Sequence, residues 1–530
     1  MVNDNISSIP ENISRTLGKD AQRNNILAAR IVSDIVKTTL GPKGMDKMLV
    51  DANGNIIVTN DGVTILNELD IDHPAARMLV DIAKTQESEV GDGTTTAALL
   101  AGKLLENAEP LLDKKVHPTI IIKGYRKAAE QAILIAKSQA MPVSSPQILK
   151  NIAMTAMTGK GAEAHKEFLA DLLVKAADTV SSGKEISKYD ILIEKRKGES
   201  ILESELVQGI VLAKERANAE MPQEIKNAKI LLLDIPLEIK SPEKETRISV
   251  STPEQLEMFI SSEESYLREL TNRLVLSGAN VIFCQKGIDD VAQYYLAKAG
   301  IFACRRVSRT QMENLARATS AKIISNINDI SQQSFGLASE VVEIRQGDES
   351  YIYIKGCKNP KSITIVIRSG SPHLLDELER ALTDGIGDII SAIKSGAVVA
   401  GGGAIEIEIS KQLHAYARTL QGREQLAVEA FAKSLESIPE TLAENAGLDP
   451  LNILAELKKQ HEMGNSRAGL NLFTEKVEDT FLAGIIEPIK VKTQAISSAS
   501  EVASLILRID DVLVRKPNSD FKQSPYEGMD

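Results

Sequence analysis

The sharpest chemical signal in the chain is Gly91-Asp92-Gly93-Thr94-Thr95-Thr96. It lies between one helical pattern and the start of the next, where free N–H groups and the helix dipole form a site for an anion. The glycines let a ligand approach the backbone, and the threonine hydroxyls add donors. A carboxylate at Asp92 would repel a bare phosphate, but it suits a phosphate bridged by a hard cation such as Mg²⁺. As a local pattern the same six residues also read as a glycine turn with Thr94 as helix N-cap.

Other positions could carry chemistry but are weaker alone. Gly41-Pro42 reads as a helix stop, because glycine tolerates the left-handed position and proline cannot continue the helix. Asn60-Asp61-Gly62 puts a carboxylate in a tight turn. Thr158-Gly159-Lys160-Gly161 sets a lysine between glycines without the spacing of a P-loop. Asp384 sits in a helical pattern beside Gly385 and is unremarkable by spacing. The three cysteines, Cys284, Cys304 and Cys357, form no CxxC pair, and the six histidines show no HExxH spacing. A disulfide scaffold, a redox dithiol and a zinc centre are therefore excluded as readings.

Those positions hang on a recognisable succession of elements. An amphipathic helix is expected over 20–40, with Ile26, Leu27, Ile31, Val32, Ile35 and Val36 at helical spacing and Asp20 as its cap. Asn53-Gly54 between two apolar runs predicts a hairpin. Helices follow at 75–89, 95–107, 119–140 and 163–180. From about 228 buried strands alternate with helices, which predicts an α/β module ending near Gly356. Within it, a helix over 253–276 has a polar middle, Ser261 to Ser265, and reads either as an ordinary surface helix or as one projecting into solvent. A strand at 363–367, a helix at 372–394, the Gly401-Gly402-Gly403 turn and long helices to Leu507 complete the chain, with a polar tail over 516–530. Helical character at both ends predicts one domain split in sequence, with the α/β module inserted.

Composition limits the partners. At 530 residues the chain should hold about three to four domains at ~150 residues each. A net charge of −11 argues against non-specific binding to nucleic acid or anionic membrane, and 3% aromatics without tryptophan remove the stacking surface of a single-strand binder. No apolar run approaches the ~18 residues of a membrane span, and the polar start lacks signal-peptide order, so a cytoplasmic location is expected.

Several segments together resemble group II chaperonins, the family of archaeal thermosome and eukaryotic cytosolic chaperonin subunits: LGPKGMDKMLVD, NDGVTIL, GDGTTTAALLAGKLL, TGKGAE, VVAGGGA, ENAGLDP and GIIEPIKVKTQAI. The resemblance runs from about residue 10 to 515 and is nearer the archaeal members. It implies a multidomain α and α/β fold. An equatorial ATPase domain would span 1–145 and 401–530, an intermediate hinge domain 146–212 and 363–400, and an apical substrate-binding domain 213–362, with a lid protrusion at about 240–275. It implies ATP and Mg²⁺ as cofactors: Gly41 and Pro42 touching nucleotide, Asp92 holding the metal, and Gly93, Thr94, Thr95 and Thr96 cradling phosphates. Asp61 and Asp384 would orient the attacking water, Lys160 would stand near the γ-phosphate, and Gly402 and Glu487 would line the adenosine side. The implied partners are unfolded proteins and like subunits in a stacked double ring, about eight or nine per ring. Gln311, Asn314 and Arg317, on a helix near 310–319, are client-contact candidates by the same resemblance.

Some positions depart from the family pattern. Gly385 and Gly387 follow Asp384, and two glycines cost a helix about 1 kcal/mol each, so a looser helix is expected there. Ile405 replaces a usual proline, and Ala213 a usual acidic residue. These changes suggest a specialised member of a mixed ring. The leading function is an ATP-driven folding chamber. A ring-forming, client-holding subunit with weak ATPase is the alternative, and a small-molecule phosphotransferase a third reading.

Overall fold

The computed structural model describes residues 13–50, 54, 56–181, 186–238, 252–347, 349–358 and 360–515. Asn53 of the expected turn, most of the polar stretch before the 253–276 helix and the 516–530 tail lie outside them. The chain forms two compact units, residues 1–160 with 387–530 and residues 161–386. Both boundaries fall inside the segments expected to make the intermediate domain.

The first unit is helical, and its axis is the helix Thr94–Asp113. Ala97, Ala98, Leu99, Leu100, Ala101, Leu104, Leu105 and Ala108 are all fully buried, so most of this helix is enclosed, with Lys103, Glu106 and Asn107 on its less buried side. The helices Gly18–Lys37, Pro74–Glu89, Pro118–Gln139, Arg423–Asn445 and Ile489–Leu507 contribute to one core with it. Proline at the first helical position starts two of them, Pro74 behind His73 and Pro118 behind His117. The expected cap at Asp20 is corrected: the first helix begins at Gly18 behind Leu17, and Asp20 lies in its first turn, where it complements the dipole.

Both ends of the described chain meet in this unit. Ile13–Leu17 pairs antiparallel with Asp511–Arg515, and Arg15 Nε and Nη2 both donate to Asp511 Oδ2, at 3.0 and 2.7 Å. Lys47–Val50 and Ile56–Thr59 form the expected hairpin. Met141–Pro142, Ala397–Ala400 and Ile486–Pro488 make a small antiparallel sheet.

The second unit is α/β. Its mixed sheet runs Phe302–Cys304, Val281–Cys284, Glu224–Leu233, Gly336–Gln346, Glu349–Lys355, Gly209–Leu212, with Ile323–Ile324 also paired to Glu224–Leu233. The first three strands and Ile323–Ile324 pair parallel, and the other neighbours antiparallel. Gly209–Leu212 is an edge of this sheet. A second sheet places Ile363–Ser369 between Ile191–Lys197 and Glu205–Val207.

Two surface expectations come out differently in this unit. The helix Pro253–Leu276 is exposed at Ser261, Ser262, Glu264, Ser265 and Tyr266, then buries Leu267, Thr271 and Leu274 at helical spacing. Its final turns are docked while its middle stands in solvent. On the helix Arg309–Thr319 none of the three client-contact candidates is a free surface group. Asn314 is buried, Gln311 accepts from Ser308 N at 3.1 Å in a capping box, and Arg317 is ion-paired to the buried Asp190.

Candidate functional site

Within the first unit the glycine–threonine segment opens the central helix. Gly93, in the left-handed region at φ 78°, is the N-cap, so Thr94 is the first helical residue and not the cap. The first backbone bond of that helix is Ala97 N to Gly93 O at 3.0 Å. The N–H groups of Thr94, Thr95 and Thr96 precede it and have no acceptor within the helix, which leaves donors for an anion.

A buried glutamine holds the loop in shape. Gln86 Nε2 donates to Asp92 O at 2.9 Å and to Val491 O at 3.2 Å, while Gln86 O accepts from Val90 N and Gly91 N. A Cβ at Gly93 would stand 2.7 Å from Val491 Cγ1 and 3.1 Å from Gln86 Nε2, so only glycine fits between them. The Asp92 backbone is thereby fixed and its half-buried side chain left unconstrained by these bonds. The donor set suits a hard cation, with one carboxylate and hydroxyl oxygens and no sulfur. Among the described residues no group of three metal-ligating side chains stands together. Mg²⁺ held by one carboxylate and substrate phosphates requires none.

Three further expected segments join this loop. A Cβ at Gly62 would approach Thr95 Oγ1 to 2.6 Å, so the Asp61 turn abuts the threonines. Asp61 caps the helix Gly62–Glu68, its Oδ2 accepting from Thr64 N at 2.9 Å and Thr64 Oγ1 at 2.6 Å, which leaves Oδ1 for another partner. Asn60 Nδ2 donates to Gly159 O at 2.9 Å, and a Cβ at Gly159 would stand 2.6 Å from Pro42 Cα. Asn60 therefore gathers Lys160's glycine turn and the Gly41-Pro42 turn beside the loop. Asn445 Nδ2, donating to Lys37 O and Leu40 O, ties that turn to the helix Arg423–Asn445.

The start of the helix Ile489–Leu507 forms the opposite wall. Lys492 Nζ lies 2.7 Å from Glu487 Oε2 and 2.8 Å from Glu406 Oε1. Burial pulls the Lys492 pKa down, but Glu406 and Glu487 outweigh it and the ammonium is held charged. Burial holds the Glu487 carboxyl above the usual carboxylate range, with Lys492 opposing the shift and Glu406 and Asp92 adding to it. A Cβ at Gly401 would stand 2.7 Å from Glu487 Oε1 and one at Gly402 2.6 Å from Leu470 O, so the glycine turn lies between Glu487 and the strand Ala468–Asn471. Gly41, Pro42, Asp61, Asp92, Gly93, Thr94, Thr95, Thr96, Lys160, Gly402 and Glu487 thus all fall on elements of one unit, linked by direct contacts. Asp384 belongs to the second unit, on the continuous helix Pro372–Ser395.

That helix runs unbroken through both glycines. A Cβ at Gly387 would stand 2.9 Å from Val90 O and 3.1 Å from Gly91 Cα, so the glycine is where helix backbone meets loop backbone. Although alanine is the better helix former by about 1 kcal/mol, Gly387→Ala should lower the denaturation midpoint, because neither backbone can yield cheaply; overpacking of this kind costs roughly 1–3 kcal/mol. A raised midpoint would return Gly387 to a mere propensity defect.

Gln86, Asn60, Glu406 and Lys492 were not singled out from the sequence. Lys492 lies inside GIIEPIKVKTQAI and could have been suspected as a charge among apolar helix positions. Nothing in the spacing marks Gln86.

Residues 32–517 match the family described as the TCP-1/cpn60 chaperonin family. The chain is similar to a protein named thermosome subunit beta from Archaeoglobus fulgidus, with 54% identity over 524 residues, 98% of this chain and 96% of the relative. It is 51% identical over 514 residues to a thermosome subunit of Methanopyrus kandleri, covering 96% of this chain and 94% of that one. With thermosome subunit beta of Methanothermobacter thermautotrophicus it shares 52% identity over 522 residues, 98% of this chain and 96% of the relative.

Proposed function

The chain belongs to the TCP-1/cpn60 chaperonin family and is a chaperonin subunit, and from that premise we propose that it binds and hydrolyses Mg²⁺-bound ATP in its first unit to drive the enclosure and release of unfolded proteins. The observation that carries this reading is the gathering of the glycine–threonine loop, the Asp61, Lys160 and Gly41-Pro42 turns and the Glu487–Gly402 wall onto one rim.

On this reading each group has a defined task. The N–H groups and hydroxyls of Thr94, Thr95 and Thr96 bind phosphate oxygens at the positive end of the central helix. Asp92 would hold the metal, which would supply charge neutralisation. Asp61 through its Oδ1, and Asp384, orient the attacking water, with Lys160 toward the γ-phosphate. Gly41, Pro42, Gly402 and Glu487 receive the nucleoside. Asp384 lies in a different unit from the loop. The equatorial, intermediate and apical divisions, and a lid at about 240–275, follow from the same reading.

Assembly with like subunits in a double ring is supported by apolar side chains left in water on the paired strands of the first unit. Met48, Val50, Ile56 and Val58 of the hairpin are 68%, 63%, 55% and 49% exposed, and Leu17 and Leu513 of the terminal strands 55% and 60%. A lone subunit would gain by covering such strands. Cys284, Cys304 and Cys357 are free and buried, which suits a reducing cytoplasm. No described helix is long and apolar enough to cross a membrane. A ring-forming, client-holding subunit with weak ATPase is the alternative reading.

Steady-state ATP hydrolysis by the purified oligomer, with and without an unfolded client, tests the proposal. Mg²⁺-dependent turnover and nucleotide-dependent protection of the client from protease are expected. Protection without turnover would favour a client-holding subunit, and turnover with neither client response nor protection would favour the phosphotransferase reading.

A further inference from the structure

Lys160 stands between Gly159 and Gly161, and a residue flanked by glycines draws little stiffness from its own backbone. Its flanks are held from outside instead, one on each side. Gly159 O accepts from Asn60 Nδ2 at 2.9 Å. Gly161 N donates to Glu377 Oε1 at 2.7 Å, from the helix Pro372–Ser395 on which Glu377 is half-buried. A Cβ at Gly161 would stand 2.5 Å from Glu377 Oε2, 2.7 Å from its Cδ and 3.0 Å from Leu374 Cδ1. Leu374 and Glu377 share one helix face at three-residue spacing, and the glycine packs against it. Gly161 is outside the left-handed region, so it is space and not backbone angle that demands glycine there.

We propose that Glu377 is a positioning residue that fixes the backbone of Lys160 and so aims its ammonium during hydrolysis. The inference rests on the reading above that sends Lys160 toward the γ-phosphate. Gly159 O and Gly161 N belong to the two planar peptide groups on either side of the Lys160 Cα. Holding both groups sets the two soft dihedrals of Lys160, whereas holding one leaves the other free. Asn60 supplies the first hold and Glu377 the second, which is the stronger kind because its acceptor is a carboxylate. The lysine side chain is a flexible four-carbon stem, so its charge is well placed only from a fixed root. Misplacing a catalytic group by about 1 Å can cost ~10²-fold in rate.

The measurement is the single-turnover rate of bound Mg·ATP on the assembled protein, with affinity for ADP taken alongside. Glu377→Ala should slow the rate by about 10- to 10²-fold. Affinity for ADP should stay as in the wild type, because ADP has no γ-phosphate for Lys160 to meet. Glu377→Gln keeps a carbonyl acceptor for Gly161 N and should recover most of the rate. In a Lys160→Ala background, Glu377→Ala should add no further loss. An undiminished rate in Glu377→Ala would overturn the proposal, as would an equal loss in both backgrounds. So would a Glu377→Gln variant as slow as Glu377→Ala, or a fall in ADP affinity that matches the fall in rate. An undiminished rate in Lys160→Ala would instead overturn the placement of Lys160, and the proposal with it. Should Glu377→Ala fail to assemble, Gly161→Ala decides the matter, since its Cβ would push the carboxylate away. A slowed rate there is expected, and a rate equal to the wild type would overturn the role of Glu377.

Discussion

In the Asp92→Ala variant, Mg²⁺-dependent affinity for ATP is expected to fall by at least ~10²-fold, since even groups that only support a metal ligand are typically worth ~10–100-fold. The loop itself should survive. What fixes residue 92 is its backbone carbonyl, held by Gln86 Nε2 at 2.9 Å, and that bond is indifferent to the side chain. The neighbouring turn depends on Gly93 fitting against Val491, which the substitution also leaves alone. Removing a carboxylate beside a phosphate loop should, if anything, relieve repulsion towards nucleotide without metal. The variant therefore separates two effects: binding measured with a chelator present should change little, and binding with Mg²⁺ should collapse. Calorimetric titration under both conditions checks this. Unchanged affinity and turnover with Mg²⁺ would remove Asp92 from the metal site.

The contrast between Asp92 and Gln86 shows what the sequence could make visible. A helix N-terminus flanked by glycines is a local pattern, so the anion loop and the helices Pro74–Glu89 and Thr94–Asp113 could be read within a residue or two at their starts. Apolar periodicity and strand alternation likewise exposed the split helical unit and the inserted α/β unit. Gln86 has no such signature, because its role lies in a bond to Val491, 405 residues away. The same holds for Lys492, whose meaning depends on Glu406 and Glu487 converging on it. Gly387 misled for a related reason. Helix propensity counts the missing side chain as a cost, whereas the structure uses its absence to bring Val90 and Gly91 against the helix. On the helix Arg309–Thr319, polar residue types suggested a free face, but Asn314 is buried and Arg317 answers the buried Asp190. Residue type reports what a side chain can do in water, and long-range packing decides whether it meets water at all.

Asp384→Ala should separate hydrolysis from binding. The family pattern assigns this carboxylate to the attacking water, and such orientation and partial deprotonation contribute typically ~10²–10⁴-fold in rate. Its loss should slow turnover on that scale while ATP is still held, because the donors of Thr94, Thr95 and Thr96 and the Asp92 carboxylate belong to the other unit. The substitution should not unfold its own helix. Asp384 is an interior position of Pro372–Ser395, where alanine is the better helix former, and the close contact of that helix with the loop is made by Gly387 backbone. A lower rate could therefore not be ascribed to a melted helix. Single-turnover hydrolysis of pre-bound ATP reads the chemical step directly, whereas steady-state turnover would mix it with product release. If the subunit works with a weak ATPase, wild type and variant will both be slow and nearly equal. If the wild type is fast and the variant equally fast, another group positions the water. Asp61 is then the next candidate, since Thr64 occupies only its Oδ2 and the turn that carries it already abuts Thr95.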